Sequence, residues 1–267
     1  MKKKSPRILF RLVIVIGTLS LAFAGILLLM NWLSNSGFFN SGTKDHSFEI
    51  AIPPGYKVHG IDVSSHQGKI DWDQVDSMKS GGIEFSFVFV RATEGITRQD
   101  SDFERNWREL KKTELLRGAY HFFYPSRDAG KQAANFIAQV KLEQGDLPPV
   151  VDIEHSNGKS RKQIVQSLSA YIKLIEDHYR IKPIIYTNHS FYTTYLKGPF
   201  DQYPLWISYY TTKVQFLSSC DYPWAFWQHS EKGRVAGIRG NVDFNVFNGS
   251  GAKLLNLSKG YSSTNED

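Results

Sequence analysis

The run Leu147-Pro148-Pro149-Val150-Val151-Asp152-Ile153-Glu154 ends on two acids, two residues apart. Two prolines before a short β-branched apolar stretch read as a buried parallel strand whose carboxyl end meets a polar site. Residues two apart on a strand project to the same side, so Asp152 and Glu154 stand together while Ile153 faces away. Two like charges held that close resist ionising together, and one carboxyl keeps its proton to higher pH. A proton donor beside a carboxylate is the equipment of glycosidic bond cleavage. A solvated strand end would show the same two acids, so the elements that carry them must decide.

From residue 57 the chain alternates apolar, strand-like runs with amphipathic stretches. The runs are 58–63, 85–92, 117–123, 149–153, 183–187, 205–208, 225–229 and 242–247; helical stretches fall at about 72–79, 101–114, 129–143 and 160–179, with a shorter one near Phe191. Polar or aromatic residues near successive strand ends are Asp62, Thr93, Tyr120, Asp152, Tyr186, Trp206, Trp227 and Asp243. The first four intervals between them are 31, 27, 32 and 34 residues, each long enough for a crossover helix. The last three are 20, 21 and 16, too short for full crossovers. The spacing therefore predicts an α/β, TIM-like (β/α)5(β)3 barrel, with an open α/β sheet as the alternative. In such barrels the site lies at the carboxyl ends of the strands. Asp62, Asp152, Glu154 and Asp243 would then converge on one rim, the first and last strands being neighbours. The carboxylates are the catalytic candidates. Tyr120, Tyr186, Trp206 and Trp227 are placed where a sugar could stack or bond, although aromatics also fill interiors.

The rest of the chain sets limits. A length of 267 residues, 41% hydrophobic and 22% charged, suits one large or two small domains. The single Cys220 excludes an internal disulfide and leaves no thiol cluster for zinc. The net charge of +6 is local: Lys2, Lys3, Lys4, Arg7 and Arg11 carry five positive charges, and 27 basic residues face 26 acidic ones beyond them. Nucleic-acid binding has no electrostatic support. Residues 1–11 read as a cytoplasmic basic tail and 12–33, 22 residues without a charge, as a transmembrane helix acting as a signal anchor. Cleavage after Ala22-Phe23-Ala24, giving a secreted form, is the alternative, but apolar residues continue past it. Residues 34–56 read as a flexible linker with a reach of roughly 25 Å, 57–250 as the barrel and 251–267 as a polar C-terminal tail. The expected product is a monomeric, extracytoplasmic domain, soluble when begun near Pro53. His66 and His121 lack the spacing of a metal motif, so neither metal nor cofactor is expected. Gly158-Lys159-Ser160 echoes a P-loop ending, but Ile153 stands where its first glycine belongs.

Eight segments together resemble the glycoside hydrolase family 25 lysozymes, the Chalaropsis-type muramidases. They are His59-Gly60-Ile61-Asp62-Val63-Ser64 with Gln67-Gly68, Phe89-Val90-Arg91-Ala92-Thr93-Glu94-Gly95, Gly118-Ala119-Tyr120-His121-Phe122, Val151-Asp152-Ile153-Glu154, Ile185-Tyr186-Thr187-Asn188, Leu205-Trp206-Ile207-Ser208, Phe226-Trp227-Gln228 and Val242-Asp243-Phe244-Asn245. The resemblance spans about 57–250, in order. It implies a barrel of five βα units plus three strands. The implied activity is cleavage of the β-1,4 bond between N-acetylmuramic acid and N-acetylglucosamine in peptidoglycan glycan strands, retaining and assisted by the substrate's acetamido group. Glu154 is then the expected proton donor. Asp152 is expected to be ionised and to orient the acetamido group or activate water. Asp62 and Asp243 would tune charge, and Gln228 joins the aromatic residues in substrate binding. A membrane anchor departs from the usual secreted form. An inactive barrel that binds wall glycan, or a hydrolase of another acetylated polysaccharide, would carry the same acids.

Overall fold

The computed structural model describes residues 23–29, 43–45, 47–211 and 220–258. Eight strands form the barrel: β1 His59–Val63, β2 Ile83–Glu94, β3 Leu116–Phe122, β4 Val150–Asp152, β5 Ile184–Asn188, β6 Leu205–Ser208, β7 Phe226–Gly233 and β8 Val242–Phe247. They pair in sequence order, and β1 pairs with β2 and β8, which closes the ring. The open sheet is thereby excluded. Among the described residues, the helices between strands are α1 Trp72–Ser77, α2 Phe103–Leu110, α3 Ala129–Gln139 and α4 Arg161–Tyr179, and β5 is followed by His189–Phe191 and the π-helical turn Tyr192–Leu196. Ser160 caps α4 in a capping box with Gln163, which accounts for the Gly158-Lys159-Ser160 run.

Six neighbouring pairs are parallel, but β8 runs antiparallel to both β7 and β1. Only residues 234–241 join β7 to β8, and a parallel return needs a dozen or more. Asp243 therefore lies at the amino end of its strand rather than the carboxyl end, and reversal of the strand brings it to the same rim, directly opposite Asp62.

Alternation of side chains divides the barrel interior into a plug and a site. Phe87, Phe89, Val150, Ile184, Trp206, Phe226 and Phe247 form one buried cluster. Phe89 stacks on Trp206 at 4.5 Å, and Phe87 meets Phe226 edge-on at 5.2 Å. Gly60 and Gly118 make room for it: a Cβ at either would stand 2.5 Å from the ring of Phe87 or Phe89, its cross-strand partner. The next inward residue of each strand stands above this aromatic floor.

Two boundaries differ from the sequence reading. Residues 43–45 and 50–52 form an antiparallel pair, and Phe48 is fully buried, 5.2 Å from Phe244 and 5.7 Å from Phe85. This part of the expected linker belongs to the barrel, because its apolar residues cover strand faces that no crossover helix reaches. At the other end Gly251–Ser258 forms helix α5, and Leu254 enters the core cluster, so the expected polar tail starts too early. A chain begun at 53 loses Phe48, Ile50 and Ile52. It should melt roughly 10 °C below one begun at 42, given about 3–5 kcal/mol for one lost core aromatic. Calorimetry of the two chains checks this; equal melting temperatures would show that the segment adds nothing.

Among the described residues no helix is long and apolar enough to cross a membrane. Residues 23–29 are helical, and the rest of the expected anchor at 12–33, like the tail 1–11 and residues 34–42, lies outside the described residues.

Candidate active site

Inward-facing residues of successive strands meet in a cleft of about 230 Å³ above the floor. β1 supplies Asp62, β2 Arg91, β3 Tyr120 and Phe122, β4 Asp152, β5 Tyr186, β6 Trp206, β7 Gln228 and β8 Asp243, with Glu154 just past the end of β4. Four acids read from three strand ends, Asp62, Asp152 with Glu154, and Asp243, are thus brought together.

Asp62 is the best-held of them. Its Oδ2 accepts from Gln228 Nε2 at 2.8 Å and Asn245 Nδ2 at 2.7 Å. Each amide is itself oriented. Gln228 Oε1 accepts from Tyr186 Oη at 2.8 Å and Tyr210 Oη at 3.2 Å, and Asn245 Oδ1 accepts from Trp206 Nε1 at 2.8 Å. Burial raises the Asp62 pKa, and bonds from Asn245, Gln228 and Asp243 pull it back. Asp243 moves further. Burial, the Asp62 charge and the bond to Asp62 push it up to about 9, so Asp243 is the neutral member and donates to Asp62.

That assignment carries a stability prediction. With a folded-state pKa above its ordinary 3.8, Asp243 keeps a proton that the unfolded chain releases. Its stabilising contribution is full below about 4 and is lost as pH rises through about 9. Asparagine is neutral at every pH, so Asp243→Asn should match wild type at pH 4 and exceed it at pH 8. The expected excess is about 1–3 kcal/mol after discounting for the coupling to Asp62. Melting curves at the two pH values check it; a variant less stable at pH 8 would mean that Asp243 is ionised in the folded protein.

Burial raises Asp152 well above the usual carboxylate range, with Glu154 and Asp62 adding to the rise and Arg91 opposing it. Its Oδ1 is buried without a hydrogen-bond partner among the described residues. Glu154, half-buried, is raised by burial and Asp62 and lowered by His155. The expectation that Asp152 is the ionised member therefore does not describe the free protein, where burial favours neutral Asp152.

The aromatic candidates separate. Tyr120, Tyr186 and Trp206 line the cleft, Trp206 as its nearly closed floor. Trp227 does not. As the neighbour of inward-facing Phe226 and Gln228 it points outward, donates from Nε1 to Tyr209 O at 2.8 Å and packs against Tyr56 and Trp224. Trp227 therefore cannot meet substrate in the cleft, and Gln228 is the inward-facing residue at that strand end. His121 is fully buried, bonded to Thr93 Oγ1 at 2.7 Å and stacked on Tyr171, while His66 reaches the cleft edge. No group of three or more His, Cys, Asp or Glu among the described residues could hold a metal ion.

Arg91 and Tyr210 of the cleft, and Asn245 buried beneath it, were not among the expected site residues. Arg91 is a cation among the acids, fixed by Asp100 Oδ2 at 2.9 Å and Ser65 Oγ at 3.2 Å. Thr93, expected at that strand's end, is turned toward His121 by a bulge between 91 and 93. The alternation Phe87, Phe89, Arg91 would have found it. Asn245 follows from the same alternation beside Asp243. Tyr210 lies past the end of β6, where no periodicity points to it.

A closed barrel with four convergent carboxylates at its mouth, two of them two residues apart on one strand end, has the equipment of glycosidic bond cleavage. Residues 61–238 match the sequence profile of Glycosyl hydrolases family 25. Lysozyme M1 of Streptomyces globisporus is 34% identical over 75% of this chain and 71% of its own length. An uncharacterised Escherichia coli protein, YegX, is 44% identical over 82% of this chain and 79% of its own length. A solved family 25 glycosyl hydrolase from Bacillus anthracis superposes with a TM-score of 0.69 at 31% identity, covering 80% of this chain and 99% of that one. The chain belongs to glycoside hydrolase family 25, the family of lysozymes and muramidases, and is a peptidoglycan hydrolase of that kind.

Proposed function

We propose that the chain is a muramidase that hydrolyses the β-1,4 bond from N-acetylmuramic acid to N-acetylglucosamine, with Glu154 as proton donor. The convergence of Asp62, Asp152, Glu154 and Asp243 on one cleft carries this reading. Glu154 is the pair's more exposed member, its longer side chain extends past Asp152, and its raised pKa suits a donor. Asp152 Oδ1 is an acceptor in want of a donor. The N–H of the acetamido group is such a donor, and a bond to the ionised form lowers a carboxyl pKa. Substrate would thus draw Asp152 into its ionised form and leave the proton on Glu154. Ionised Asp152 then orients the acetamido oxygen toward the anomeric carbon and stabilises the positive charge that develops there. Water opens the resulting intermediate with retention, Glu154 now acting as base. Asp62, held by two amides, and neutral Asp243 keep charge and geometry fixed behind the pair.

The charge-free stretch 12–33 and the basic residues before it support a single-pass anchor with a cytoplasmic N-terminus and an extracytoplasmic barrel held near the membrane. Mass spectrometry of products from purified wall tests the bond. Muropeptides with reducing-end muramic acid are expected; reducing-end N-acetylglucosamine would place the cut elsewhere.

A further inference from the structure

A second cavity, about 650 Å³ and larger than the catalytic cleft, opens on the other side of the turn that follows β1. Residues of α1, α2 and the β7–β8 connection line it. The two cavities share a wall: Gln67 lines the cleft and Lys69 the second cavity, so their Cα atoms are at most about 7.6 Å apart. The wall is tied across by Gln67 Nε2 donating to Asn241 O at 3.1 Å and by Asp71 N donating to Gly237 O at 2.9 Å. Gly237 has a φ of +86°, and a Cβ there would collide with the Asp71 carbonyl. The contact is therefore built on a glycine.

The lining carries five cations against three acids. Glu109 is already taken by Lys112 at 2.6 Å and Arg108 at 3.3 Å, and the Asp71 carboxylate accepts from Gln74 at 2.7 Å. Lys69 and Arg239 are exposed on the rim, without an ion pair among the described residues. Behind them, the lining residue Arg105 has a buried Nε without an acceptor among the described residues, while its Nη2 donates to Gly68 O at 2.9 Å and Asn106 Oδ1 at 3.2 Å. Among the lining residues, two free cations and the shielded Arg105 donor face a single uncommitted acid, Asp73.

We propose that this cavity is a subsite for a carboxylate of the peptide borne by a muramic acid unit of the strand being cut. The inference rests on the muramidase reading. The lactyl side arm of muramic acid carries a peptide with free carboxylates, and a strand lying in the cleft must send that arm over a rim. The Ser65–Gly68 rim leads to this cationic cavity. The subsite would make the enzyme favour peptide-bearing over naked glycan.

The test uses the full chain and its Lys69→Glu/Arg239→Glu variant on three substrates: peptide-bearing glycan, the same glycan stripped of peptide, and peptide-bearing glycan with its carboxylates amidated. On the first, the variant should lose about tenfold in kcat/KM, as expected for two reversed charges near the surface. On stripped glycan the two proteins should agree within about twofold, a difference too small to report a lost charge contact. Amidation should bring wild type down to the level of the variant. Equal losses on intact and stripped glycan, no loss on either, or wild-type indifference to amidation would each overturn the subsite while leaving the muramidase reading standing. Failure of wild type to cut any of the three would overturn that reading and the subsite with it.

Discussion

Glu154→Gln should lower turnover of peptidoglycan by at least about 10²–10⁴-fold, the usual contribution of a positioned general acid. Glutamine keeps the length and a hydrogen-bonding head but has no proton to give to the departing oxygen. The fold should not suffer. Glu154 is half-buried, bears no ion pair among the described residues, and its carboxyl carries a raised pKa, so a neutral amide removes an unfavourable charge. The melting temperature should stay level or rise, and glycan binding should persist. Loss of binding together with turnover would recast Glu154 as a substrate anchor.

Asp152→Asn should cost a comparable amount for another reason. Asparagine preserves the shape but cannot become an anion. The substrate's acetamido N–H would meet a neutral oxygen, and the charge developing at the anomeric carbon would lose its nearest counter-charge. Loss of one such electrostatic partner costs about 10²–10³ in kcat. The change should fall on kcat with KM nearly unaltered, since the effect arises as charge develops. Stability should rise slightly, because burial already disfavours the Asp152 carboxylate in the free protein. A loss confined to KM would make Asp152 a ground-state contact only.

Most of the barrel is legible in the sequence because its signals are local. β-Branched and aromatic runs mark each strand, and the spacing between them limits what each connection can hold. The acids could be placed because strand alternation is strict: Asp152 and Glu154 share a side whatever surrounds them. What was missed depends on partners far away in the chain. Asp243 was placed on the rim correctly, but it arrives there at the amino end of a reversed strand, which the short 234–241 connection dictates and a reading from carboxyl ends conceals. Arg91 was hidden by a bulge that shifts the register by one residue, so Thr93 leaves the cleft. Trp227 and Gln228 differ only in parity, and a side-chain assignment off by one moves a residue through the wall. Phe48 and Leu254 sit in segments whose polar, glycine-bearing neighbours read as linker and tail, and only the packed barrel shows the apolar faces they cover. The rank of the Asp152 and Glu154 protons also eluded the sequence, since burial of Asp152 against three other acids is a property of the closed ring.

The division of labour between those two residues is tested most directly with an activated aryl glycoside, whose leaving group needs little protonation. Wild type, Glu154→Gln and Asp152→Asn are compared on it and on natural glycan. Glu154→Gln should recover much of its lost rate on the aryl substrate, because the missing proton is no longer required. Asp152→Asn should stay as impaired as before, because charge at the anomeric carbon develops with either leaving group. Equal rescue of both variants, or rescue of Asp152→Asn alone, would contradict the account.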